Sequence, residues 1–150
     1  MNIHDYLIQQ PGLDWKLLLR EWTPPLPETY NLWLVNKLAE VVVVTESNSV
    51  QWLDFQAGSV TEVARSREEF AHLLDKPHNA DKWLRISLVD ACRRSGIALS
   101  QHQCYGVKIP PTLGGSFEIG NITPKDLLTH YSFMAHMQKQ TAVYWVPEDS

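Results

Sequence analysis

The string His102-Gln103-Cys104 brings together two groups that could act as a nucleophile and its base. Residues i and i+2 of a β-strand point to one face, so the imidazole and the thiol would share a side. A thiolate nucleophile also needs an orienting third group, and commonly a helix N-terminus that lowers the thiol pKa. The flanking sequence supplies neither. The plainer expectation is a buried Cys104 acting as a small hydrophobe beside a solvent-facing His102. A small enzyme built on His102, Cys104 or His130 stays as an alternative that requires those groups to converge on a third polar group. No catalytic residue is assigned.

The other chemistry-bearing residues form no ligand set. His72 and His78 are separated by Pro77. His130 and His136, six apart on a helix, project about 240° from one another, so no metal site is expected. Gly114-Gly115 precedes a strand candidate rather than a helix N-terminus, which argues for a turn and against a phosphate loop. Glu68 and Glu69 suit a helix start, where they favour the dipole and the cap. No cofactor is implied.

The charge balance narrows the partners. Thirteen Lys and Arg stand against seventeen Asp and Glu, and Arg93-Arg94 is the sole adjacent basic pair, so a surface that tracks phosphates is not expected and nucleic acid is no partner. The opening residues have no basic n-region, and no apolar run is long enough to cross a bilayer. Together with two cysteines read as reduced thiols, this places the chain in the cytoplasm, off the membrane.

The elements that must position these groups read as α+β: an antiparallel β-meander with about three helices packed against it, in a single domain of 1–150. Residues 1–29 hold a short helix at Trp15 to Arg20 and the connector Thr23-Pro24-Pro25-Leu26-Pro27, whose prolines forbid regular helix. Residues 30–65 form the meander, with strands at Leu32 to Val35, Val41 to Val44, Val50 to Phe55 and Val60 to Ala64, and a turn at Ala57-Gly58-Ser59. Val41 to Val44 reads as a central strand covered on both faces.

Residues 66–150 carry the helices. Ser66 and Glu69 make a capping box for a helix to about Asp75. A second helix is capped by Asn79, carries Leu84, Leu88, Ala91 and Cys92 on its core stripe and stops at Gly96. Strands at Gln103 to Ile109 and Phe117 to Ile119 flank the meander around Pro110-Pro111 and the glycine turn. Thr123 with Pro124 opens a last helix, with Leu127, Leu128, Tyr131, Met134 and Ala135 inward. Val143 to Val146 reads as a final edge strand.

That last helix has apolar groups on two sides, because Phe133 and Met137 stack at i and i+4 roughly opposite Tyr131. The second face, with His130, is the candidate partner-binding surface, and it also offers a route to a homodimeric scaffold or regulatory protein. The competing explanation is a helix buried on both sides. Trp22 and Trp145 are further interface candidates.

Asn79-Ala80-Asp81-Lys82-Trp83-Leu84, then Gln103-Cys104-Tyr105-Gly106-Val107-Lys108-Ile109-Pro110-Pro111, Leu113-Gly114-Gly115, Asn121 and His130-Tyr131 carry a resemblance. The chain resembles the C-terminal domain of immunity proteins that neutralise DNase effectors of the type VI secretion system. The likeness is most specific from Asn79 to Gln140. It implies a non-enzymatic inhibitor that binds a cognate toxin, and it carries over no catalytic residue. Cys104, Tyr105, Lys108, Pro110, Pro111, Gly114, Gly115 and Asn121 have structural roles in this reading: the prolines and glycines shape a break and a turn, Tyr105 and Leu113 are apolar anchors, and Asn121 bonds backbone ahead of the last helix. The N-terminal domain pattern of the longer immunity proteins is not found before the motif.

Overall fold

The computed structural model describes residues 2–21, 26–27, 29–54 and 59–144. A single 3-10 turn at Ile3–Tyr6 leads to helix α1, Trp15–Leu19, whose N-cap Asp14 accepts the Leu17 N–H. Strands β1 (Tyr30–Val35), β2 (Val41–Thr45), β3 (Val50–Asp54) and β4 (Ser59–Ala64) then form an antiparallel meander in the order β1-β2-β3-β4. Helices α2 (Arg67–Leu74), α3 (Pro77–Leu84) and α4 (Ile86–Arg94) follow. Strands β5 (Gln103–Val107) and β6 (Ile122–Asp126) pair antiparallel in a separate two-stranded ribbon before helix α5 (Leu127–Tyr144).

The alternation within β2 explains how the layers assemble. Successive strand residues point to opposite faces, and the four valines Val41 to Val44 are all buried. Val41, Val43 and Leu53 join α1 and α5 through Leu18, Leu19, Leu127, Tyr131 and Met134. Val42, Val44, Val50 and Trp52 meet Phe70 and Trp83 of α2 and α3 on the opposite face. Covering both faces is what a four-valine run requires, and it accounts for the mixed polarity of β3, where Trp52 and Leu53 are buried on opposite sides. A third cluster, from Leu38, Leu84, Val89, Cys92, Tyr105, Val107 and Ile122, fills the end of the meander beneath α4 and the β5–β6 ribbon.

Several expected elements differ. The second helix is two helices: Pro77 occupies the first turn of α3, and Arg85, in the left-handed region at φ 53°, separates α3 from α4. Asn79 is no N-cap; its side chain donates to the Leu73 carbonyl at the end of α2. Ser66 accepts the Glu69 N–H as expected, but the Glu69 carboxylate reaches Arg65 N–H. Pro124 lies inside β6 opposite Tyr105, where a ribbon edge tolerates the missing N–H, so the last helix starts at Leu127 and not at Thr123. The strand expected at Phe117 to Ile119 is a bend and a 3-10 turn, Ile119–Asn121. Val143 and Tyr144 are helical in α5. Trp22, Gly58, Trp145 and Val146 lie outside the described residues.

Candidate functional site

The family string forms β5, the loop from Lys108 to Asn121, and β6. Asn121 fixes this loop. Its amide donates to the carbonyls of Ile109, at 2.9 Å, and Ser116, at 2.7 Å, and its side-chain oxygen accepts the Ile109 N–H at 2.9 Å. Its backbone carbonyl accepts the Lys108 N–H at 2.8 Å. Gly115 is required by close approach, since a Cβ there would lie 1.7 Å from the Ile109 carbonyl oxygen. Gly114 takes φ 91°, which glycine adopts without strain. Pro110 is buried and its carbonyl accepts the Leu113 and Gly115 N–H groups; the Pro111 carbonyl accepts that of Gly114.

This clasp holds two aliphatic side chains out in solvent. Ile109 is 53% exposed and Leu113 67% exposed, with exposed Lys108 beside them. Leu113 is therefore not the internal anchor its place in the motif suggested. Tyr105 is internal: it is 3% exposed, its N–H bonds the Lys37 carbonyl and its hydroxyl bonds the Ile97 carbonyl.

The same loop is tied to the meander through a charge pair that the sequence did not announce. Asn36 and Glu40 are buried in the β1–β2 turn, where the Asn36 oxygen accepts the Leu38 and Glu40 N–H groups. The Glu40 carboxylate takes both an Nε and an Nη contact from Arg85, each 2.8 Å long. The Arg85 guanidinium in turn lies 4.9 Å from the Phe117 ring centroid. One polar chain thus joins the turn, the α3–α4 break and the motif loop.

The sequence-derived candidates separate. His102 sits outside β5 in a turn at φ 66°, so it does not share a strand face with Cys104. Cys104 is fully buried, and desolvation pushes its thiol up to about 12, which keeps it protonated at neutral pH. Cys92 is also a buried free thiol. His130 is 6% exposed, and burial, aided by Lys125, lowers its pKa to about 4. It lies edge-on to Tyr131, whose hydroxyl bonds the Ala39 carbonyl. Phe133 is half-buried under the Lys125 ammonium, 4.3 Å from the ring centroid, and Met137 is half-buried. Gly106 leaves the space that the Lys125 chain crosses, at 2.6 Å from where a Cβ would stand. Leu128, expected inward, is 50% exposed.

Among the described residues no group of three or more His, Cys, Asp or Glu could hold a metal, and no helix is long and apolar enough to cross a membrane. What the fold presents is an α+β scaffold that displays a fixed loop. The family model described as T6SS immunity protein Tdi1, C-terminal, matches residues 64–138, half of the chain. The protein belongs to this family of type VI secretion immunity proteins. No curated protein matches it. A solved structure described as the crystal structure of Atu4351 from Agrobacterium tumefaciens is similar, with 16% identity and a TM-score of 0.47. That match covers 80% of this chain and 61% of the other, so the present chain spans under two thirds of that protein's length.

Proposed function

We propose that this chain is a cytoplasmic, non-catalytic immunity protein that neutralises a cognate toxin, a DNase effector in the resemblance, by binding it directly. The observation that carries the reading is the clasped motif loop, which presents Ile109 and Leu113 to solvent on a backbone fixed by Asn121. Apolar groups held in one conformation lose little entropy when a partner covers them. Family membership supports the toxin as the partner, and the inert, separated state of His102 and Cys104 favours binding over thiol chemistry.

Phe133 and Met137, both half-buried on α5, remain proposed as a secondary contact, while His130, expected on the same face, is buried. The test is co-expression with each candidate toxin encoded near it. Wild-type protein should restore growth and form a complex, and Leu113→Asp should do neither while folding normally. Equal protection by the variant would remove the loop from the interface.

A further inference from the structure

The mouth between the β1–β2 turn and the end of α4 is cationic, although the chain as a whole carries a net charge of −4. Lys37 and Arg93 line a cavity of about 340 Å³ with Gly96, Ile97, Leu99 and Tyr105. The motif's Tyr105 holds this cavity together, since it bonds the Lys37 carbonyl with its N–H and the Ile97 carbonyl with its hydroxyl. Arg93 is positioned by a hydrogen bond to the Asp5 backbone carbonyl and by the Tyr6 ring, 5.3 Å from its guanidinium.

Among the described residues neither cation forms a salt bridge. Burial and the Arg93 charge lower the Lys37 pKa, an effect the Asp5 carboxylate partly offsets. Two like charges held together in a partly desolvated site favour an anion between them. Asp90, the other nearby carboxylate, accepts the Tyr6 hydroxyl hydrogen bond at 2.8 Å.

A second space of about 490 Å³ shares Lys37 and Leu99 with the first and is lined by Gln9, Gln101, His102 and Gln103. His102 lines this second space too, while its Nε2 is enclosed on the side of Gly12 and takes no part in the site. We propose that these adjacent cavities, which share Lys37 and Leu99, bind a small ligand carrying a phosphate or carboxylate, its oxyanion held by Lys37 and Arg93 and its polar remainder beside His102. Their size is within the range of about 300–1,000 Å³ usual for small-ligand sites.

The test is a titration of the full chain with inorganic phosphate, and separately with N-acetylaspartate, followed by amide NMR. Saturable shifts confined to Lys37, Gly96, Leu99 and His102 are expected, at least tenfold weaker in Lys37→Gln and unchanged in Arg94→Gln, with equal melting temperatures. The anion that binds more tightly identifies the phosphate or carboxylate source. No saturable response to either anion, or equal binding by Lys37→Gln and wild type, overturns the proposal.

Discussion

Arg85 reaches across 45 residues of sequence to grip Glu40 with two 2.8 Å contacts, and it does so from a left-handed backbone position between two helices. Glu40 is 4% exposed, so its charge depends on this partner and on Asn36, which donates to it at 2.8 Å. Breaking one side of a buried pair leaves the other charge uncompensated, at a cost of about 3 kcal/mol or more. Arg85→Met should therefore lower the urea midpoint substantially. Arg85→Met combined with Glu40→Gln should be more stable than Arg85→Met alone, which a double-mutant cycle measures directly.

The clasp in the motif loop has a local signature. Asn121→Ala removes three side-chain hydrogen bonds at once, each of which contributes about 1 kcal/mol. Amide exchange at Ile109 and Leu113 should accelerate, while the meander amides stay protected. Gly115→Ala should disturb the same loop through its contact with the Ile109 carbonyl. Unchanged exchange in both variants would show that the loop is fixed by something other than this clasp.

The scaffold was legible in the sequence where periodicity and capping speak directly. The valine run of β2, the four meander strands and the Ser66 cap were all placed, because burial on both faces and a helix start leave local patterns. Tertiary demands hid the rest. Arg85 adopts φ 53° to meet a carboxylate in a distant turn, and no local signal marks that break. Thr123-Pro124 has the pattern of a helix start, yet pairing with Tyr105 and Gly106 holds it in a strand. Leu113 has the composition of a core residue, and only the closure of its loop by Asn121 reveals that it faces solvent.

His130 makes stability depend on pH. Its pKa falls from an ordinary 6.5 to about 4 in the folded chain, so below pH 6.5 the unfolded chain binds the proton first. Stability is full above 6.5 and is lost as pH falls toward 4, by about 3 kcal/mol from this one group. His130→Leu should flatten the dependence between pH 7 and 4.5 in urea titrations. An identical slope in wild type and variant would show that other groups set it.

Both cysteines are fully buried free thiols. Ellman's reagent should find neither in the native protein and both in denaturant. Rapid native labelling of Cys104 would contradict a thiol whose pKa burial has pushed up to about 12.

The most direct measurement is the dissociation constant of the complex with the proposed cognate toxin, taken by calorimetry for wild type, Leu113→Asp and Ile109→Asp. The account predicts tight 1:1 binding by wild type and at least hundredfold weaker binding by each variant, with melting temperatures unchanged because both side chains are already exposed. Full affinity in both variants, or no binding by the wild type, would contradict it.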